Sequence, residues 1–464
     1  MAGFAPCVQA LDLLEAYQTA IQHNEEYRAR ERLFHAAAMD ADLARALVRP
    51  QLHYSFAWYR NTYDSDQSQL VYEGDAALDF SSCGSDVNCV IDLIKNVKYV
   101  EASADYESRE SSLNLVQPIY DASRFAERDK LQTRVQKAEA GLQGFQQQFM
   151  VQLLDAYLQW LGAEDAVNAS RQQLAAIGLQ QQLAAKRHDL GVGGELDLFE
   201  AQATLDAEKA RLSRAEGQLQ RARAALELIV AKPVAGVQPL SMQLPVVMPE
   251  PASVAAWQAL AVVNSAELAE QQADKQLAEL DYAKARGAQL PRLQFAASYR
   301  ESELDGGQGF YPAATTKGFG IELVVPLYQG GGLTASRKQA AYRAQAAEDA
   351  YQYRQRQVRA QVAESYYQLL ADVSATQAMQ QAVASAQQAL QAAERAYQNG
   401  VGPLPVLLEV QKKYYQAEKE WRLSRYQYLS DYFRLRYLAG SLVIGDIQQL
   451  NDWMVEAERV EDGY

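Results

Sequence analysis

Leu115-Val116-Gln117-Pro118-Ile119-Tyr120 returns 208 residues later as Leu323-Val324-Val325-Pro326-Leu327-Tyr328. Each copy closes a run in which bulky apolar residues sit two apart. Leu113 and Leu115 lead into the first; Phe319, Ile321, Leu323 and Val325 make up the second, with Gly320 and Glu322 between the first three. Period two is the signature of a strand with one apolar face. Each run has an upstream partner that follows a proline. Leu52, Tyr54, Phe56 and Trp58 follow Pro50; Leu293, Phe295, Ala297 and Tyr299 follow Pro291. The pattern predicts four strands, at about 51–63, 99–117, 292–304 and 317–326. Each is near the length that crosses a bilayer when tilted.

The surrounding chain is duplicated too. Ala16-Tyr17-Gln18 with Asn24 matches Ala256-Trp257-Gln258 with Asn264 at offset 240, and Pro50 matches Pro291 at 241. After the strands the offset falls to 208, then 209 at Gly191-Val192-Gly193 and Gly400-Val401-Gly402, so the first copy carries 33 extra residues between Pro50 and Pro118. A repeat of this length is a duplicated module, not a solenoid unit of about 20–50 residues. The reading is a first repeat over 1–230, a linker over 231–251, a second repeat over 252–439 and a C-terminal segment over 440–464. The linker holds five of the 13 prolines.

Between these landmarks the period is helical. Residues 10–48 read as one helix. Residues 121–189 and 333–398 lack proline, and each could reach roughly 100 Å as a helix. Both end in glycine turns, at about 190–194 and 399–403, and return as helices over about 195–230 and 404–439. Leu153, Ala156 and Trp160, and Tyr366, Leu369 and Val373, have near-heptad spacing, as in coiled coils. Helices alone favour a soluble coiled-coil scaffold. The four alternating runs at matched positions argue against it.

Composition narrows the function. A net charge of −14 argues against nucleic acid as a partner. No stretch of 18 apolar residues predicts a transmembrane helix, whereas a β-barrel needs only alternation. Met1-Ala2-Gly3-Phe4 does not open a signal peptide, which leaves a cytoplasmic protein or a mature exported form. The four His lack metal-ligand spacing, and there is no phosphate-binding or dinucleotide fingerprint. The chain is therefore expected to be no enzyme and to hold no cofactor or metal. Cys83 and Cys89, in a turn-rich stretch of the insertion at about 64–97, are candidates for a disulfide or for two free thiols; Cys7 is left over.

Four strands cannot close a barrel, and open edges are not tolerated in lipid. Two copies would give eight strands packed shut; three give twelve and room for a wet lumen. His53, Ser55, Glu101, Ser103, Asp105, Gln294, Ser298 and Arg300 are the expected lumen-facing residues.

The order helix, strand pair, long helix, glycine turn and helix, written twice, resembles the TolC family of outer-membrane channel-tunnels. The similarity rests on Leu11-Asp12-Leu13-Leu14-Glu15-Ala16-Tyr17 with Asn24, on the motifs at Pro118-Ile119-Tyr120 and Pro326-Leu327-Tyr328, and on the two glycine turns. Ser111 to Asp121 most resembles members serving type I secretion of proteases. The resemblance implies an α+β membrane protein: a homotrimer with a 12-stranded β-barrel in outer-membrane lipid, continued by a coiled-coil α-helical tunnel in the periplasm. It implies a periplasmic adaptor (a membrane fusion protein) and an inner-membrane transporter of ABC type, or the efflux counterpart of that assembly. The insertion would then lengthen an extracellular loop, and removal on export would explain the missing signal.

The resemblance also implies sites. The adaptor would dock at Arg187, Leu190, Gly191, Val192 and Gly193 on one tip, and at Gly400, Val401 and Gly402 on the other. Such glycines are also what any helical hairpin needs. Acidic rings near the periplasmic aperture would fall on Glu409 and on Val406, a departure from the family pattern. Asp197 and Glu200 are the first-repeat candidates. The alternative for these acids is a solvated place near a helix N-terminus.

Overall fold

The computed structural model describes residues 10–72, 83–95, 97–191, 194–306 and 313–454. Two compact units cut across the two repeats: one takes 1–41, 130–279 and 341–464, the other 42–129 and 280–340.

The smaller unit is built on four antiparallel strands: β1 Gln51–Tyr72, β2 Val97–Tyr120, β3 Arg292–Gly306 and β4 Ala314–Val324, in the order β1-β2-β3-β4. Register follows the apolar rows. Leu52 lies opposite Leu115 and Tyr54 opposite Leu113; Leu113 then faces Tyr299, and Phe295 faces Ile321. Residues directly opposite share a face, so Leu52, Tyr54, Phe56, Trp58, Leu293, Phe319 and Leu323 join them on one side. Phe319 is 85 % exposed and Phe56 61 %. The other side is polar. Ser55 Oγ meets Ser112 Oγ at 2.8 Å, Asn114 Nδ2 donates to Ser112 at 3.1 Å, and Arg300 pairs with Glu110 at 3.0 Å. Gln294 Nε2 donates to Glu322 at 2.6 Å. The apolar side ends at Trp58, whose Nε1 donates to Glu107, and at Tyr299, which bonds Glu301 under the Lys317 ammonium.

Two expectations need correction here. Asp105 lies opposite Thr62 and accepts its hydroxyl at 2.8 Å, which puts it on the side of Trp58, not among the lumen-facing residues. The reason is length. β1 has 22 residues and β2 has 24, about twice what a span needs, and beyond the apolar rows alternation no longer selects sides. The side chains of Glu101 and Ser103 lie outside the described residues. Nor is the 64–97 insertion mainly a loop. The β1–β2 ladder continues past a bulge at Ser65/Ser68 up to Tyr72↔Val97. The helix Val87–Lys95 then follows, with Asp86 accepting from Asn88 N at its start. Residues 73–82 and 96 lie outside the described residues. In chain order that helix is α4, after α1 Leu13–His23, α2 Glu25–Ala38 and α3 Asp40–Ala46.

The expected single helix over 10–48 is therefore three. Asn24 makes the first break. Its backbone is extended, its Oδ1 accepts from Tyr27 N at 3.0 Å to cap α2, and its Nδ2 donates to Ile229 O at 2.9 Å. Asn264, its repeat counterpart, ends α7 Val254–Asn264 before α8 Ala266–Gly287.

The larger unit is helical. α5 Ala122–Asp189 and α9 Gly332–Gln398 have 68 and 67 residues; α6 Glu195–Val230 and α10 Leu404–Leu438 return beside them, and α11 Ile444–Asn451 follows. Its core gathers Leu13, Tyr17, Leu153, Tyr157, Leu226, Trp257, Leu369 and Phe433. The paired positions Tyr17 and Trp257 are both buried. Fully buried Tyr157 directs its hydroxyl to Leu11 O and Gln238 O, each at 2.9 Å. That anchors the linker, where Leu11 bridges Val237 and Leu240 bridges Met454.

Candidate functional site

The helical hairpins end on a small second core of Ile177, Ala184, Ala201, Tyr397, Leu404, Leu407 and Leu408. It holds the tips of α5/α6 and α9/α10 together. α9 stops in a Schellman turn: Gly400 N bonds Tyr397 O and Val401 N bonds Ala396 O, both at 3.1 Å, with Gly400 at φ +75°. α5 stops alike, Gly191 at φ +73° with its N bonded to His188 O at 2.9 Å. Only glycine takes that backbone without strain.

The Arg187 guanidinium lies 4.8 Å over the Tyr397 ring, so a residue of the first tip rests on the second. Tyr397 was missed from sequence because nothing local announces a partner 210 residues away. Leu190 is 77 % exposed and Val401 80 %, which leaves apolar surface at both turns. Gly402 is tightly placed: a Cβ there would come 3.1 Å from that of Ala396. Val192 and Gly193 lie outside the described residues.

The three acidic candidates are not brought together: no hydrogen bond or ion pair joins them among the described residues. Asp197 is half-buried, while Glu200 and Glu409 are exposed. α10 buries Leu404, Leu407, Leu408 and Gln411, so Glu409 points off the opposite face beside Val406. It pairs with Lys413 Nζ at 3.6 Å, one turn on.

Sequence reasoning also missed the polar ties inside the helical unit. Asp165 on α5 accepts from Arg422 Nη1 at 3.1 Å and from Tyr426 Oη at 2.7 Å, both on α10. Burial, reinforced by Asp165, pushes the Tyr426 phenol above its ordinary range. Such pairs join elements some 260 residues apart and leave no local mark. Cys83 and Cys89 form a disulfide with Cα atoms 5.5 Å apart, at the start of α4. No helix among the described residues is long and apolar enough to cross a membrane, and no cluster of three or more His, Cys, Asp or Glu side chains among them could hold a metal.

A sheet with an apolar and a polar face, carried on a chain with two very long helical hairpins, defines an outer-membrane channel-tunnel subunit. Residues 16–232 and 257–441 match the family described as Outer membrane efflux protein, and the chain belongs to it. Its members are channels of the outer membrane, not enzymes. The chain is 28 % identical over 441 residues to the alkaline protease secretion protein AprF of Pseudomonas aeruginosa, covering 95 % of this chain and 86 % of that one. It is 27 % identical over 455 residues to the proteases secretion protein PrtF of Dickeya chrysanthemi, covering 97 % and 92 %. Among solved structures, CusC shares the fold with a TM-score of 0.74 at 15 % identity over 95 % of each chain.

Proposed function

We propose that this chain is the outer-membrane exit duct of a type I secretion system. Three copies close a 12-stranded barrel, the helices continue it as a periplasmic tunnel, and a protein cargo passes through. A periplasmic adaptor docks at the tips, and an inner-membrane ABC transporter supplies the energy. The observation that carries the secretion reading is near-full-length similarity to two proteins named for protease secretion. Trimerisation is supported by β1 and β4, which have no strand partner on their outer edges among the described residues; such edges must be paired in lipid. The family description favours a second reading, an efflux duct, in which the same tube serves a different transporter.

At the aperture, Glu409 of three copies would converge and attract cations. At the tips, Leu190, Gly191 and Val401 offer an apolar knob, with Arg187 beside them, for a helical hairpin of the adaptor. Val192, Gly193, Gly400 and Gly402 belong to the same proposed surface.

Complementation tests the reading. In a protease-secreting host deleted for its own duct, this chain is expected to restore extracellular protease. Trimers in the outer membrane with no secreted protease, together with restored drug resistance in an efflux-deficient host, would replace it with the efflux reading.

A further inference from the structure

The two helical hairpins correspond at offset 209, and that makes one difference conspicuous. Asp372 on α9 and Asp431 on α10 match Ala163 on α5 and Ala222 on α6. Small residues therefore suffice to pack such a hairpin, and the acids of the second copy are an addition. They face each other. Next to them, towards the tip, Thr376 Oγ1 donates to Ser424 O at 3.4 Å and ties α9 to α10. Asp431 is buried, with the carboxyl group of Asp372 within hydrogen-bonding reach. Each carboxylate already has an amide donor from its own helix: Gln368 Nε2 to Asp372 Oδ1 at 3.0 Å, and Gln427 Nε2 to Asp431 Oδ2 at 2.7 Å. Asp372 Oδ2 is buried and meets no donor among the described residues. What fits between two such carboxyl groups is a proton.

Among the described residues no ion pair within 4 Å reaches the carboxylate of Asp372 or of Asp431. Asp155 of α5 adds negative potential at Asp431; it accepts from Ser430 Oγ at 2.5 Å and is itself drawn on by Arg434. Glu420 of α10 lines the 320 Å³ cavity that Asp372 shares with Thr376 and Met379. Arg221 of α6 and Lys419 of α10 line a separate groove, with Asp155 and Gln427. Burial first, and then Asp431, raise the Asp372 carboxyl to about 6. A raised carboxyl favours the paired state fully below the ordinary value of about 4, and that advantage is lost as pH rises through about 6.

We propose that Asp372 and Asp431 are a proton-operated clasp on the second hairpin, shut when Asp372 holds a proton that it shares with Asp431 and loosened when Asp372 loses it. It acts on α9 against α10 alone, because the first hairpin carries alanines at the same places. An acid surrounding then stiffens one of the two hairpins of each chain, and a neutral one frees it. The clasp is a property of the hairpin, whatever cargo the duct serves.

Hydrogen exchange of the full-length protein in detergent tests this, with the first hairpin as internal control. Rates for residues around 366–379 and 420–434, corrected for the intrinsic pH dependence of exchange, are compared with those around 157–170 and 211–225. Opening of the second hairpin is expected to rise about tenfold between about pH 5 and about pH 7.5, while the first, where burial also raises the Glu164 carboxyl but no second acid faces it across the hairpin at the matching position, is expected to change clearly less. Asp372→Asn, which keeps a neutral hydrogen-bonding group, is expected to hold opening low at both pH values. Asp372→Ala with Asp431→Ala, the first hairpin's own solution, is expected to remove the pH response. Equal responses in both hairpins, or a response that survives in either variant, would overturn the clasp.

Discussion

Gly400 and Gly440 end their helices in the same way but in opposite surroundings, and substituting each by alanine separates the effect of backbone from that of packing. Both are the left-handed residue of a Schellman turn. Gly440, at φ +66°, bonds Tyr437 O at 2.9 Å, and Ser441 N bonds Arg436 O at 2.9 Å. At Gly400 an added Cβ meets nothing within 4 Å; at Gly440 it would lie 2.2 Å from Asn264 O, 2.4 Å from Asn264 C and 2.8 Å from Ser265 N. These are backbone atoms at the α7/α8 break and cannot swing aside. Moving them would disturb the Ser265 N to Ala261 O bond at 3.0 Å and the Gln147 bond to Leu442 O at 3.1 Å. Gly400→Ala should thus cost only the left-handed strain of about 1 kcal/mol. Gly440→Ala adds overpacking of roughly 3 kcal/mol, about 4 kcal/mol in all, a large share of ordinary stability. Denaturant-induced loss of helical circular dichroism in detergent, with the yield of folded protein, measures both. Equal costs, or a Gly440→Ala within about 1 kcal/mol of the parent, would refute the reasoning.

The sheet faces make a second contrast. Phe56→Lys puts a charge on the apolar side at about 2–4 kcal/mol per chain and should abolish membrane assembly in a heat-modifiability gel, whereas Ser55→Lys on the polar side should assemble and alter conductance. Cys83 and Cys89 should resist alkylation in unreduced protein and react after reduction; labelling of both before reduction would contradict the bond. Glu409→Gln should weaken cation selectivity and divalent block in planar bilayers if the three carboxylates converge, and unchanged values would leave Glu409 a solvated surface acid. Arg187→Glu removes the contact with Tyr397 and should impair export while leaving trimers intact; undiminished export would place docking elsewhere.

The fold was legible because it is written in periods. Leu52 to Trp58 alternate and became β1; Leu153, Ala156 and Trp160 keep helical spacing and lie in the core. Boundaries failed where a single side chain overrides the period. Asn24 breaks a helix whose apolar spacing runs straight through it, because its amide makes two bonds better met by an extended backbone. Asp105 was assigned to the wrong side because alternation has meaning only within the apolar band, and β2 outruns that band. The site was legible only in part. Gly191 and Gly400 announce a reversal locally, but the stacking of Arg187 on Tyr397 and the pairing of Asp372 with Asp431 depend on which helices become neighbours.

Comparing the repeats position by position separates what builds the tube from what distinguishes this chain. Gly191 and Gly400 match, Tyr17 and Trp257 match, and the long helices match in length to within one residue. These matched positions carry the fold, since each half needs them to make the same shape. The chemistry sits where the match fails. Asp197 faces Val406 in the alignment, Arg187 faces Ala396, and Tyr397 faces His188; the stacking of Arg187 on Tyr397 therefore couples the tips in one sense only. Asp372 and Asp431 face alanines. The two hairpins are nearly equal in length and unequal in charge, so the proposed clasp can act on one of them and has no counterpart in the other.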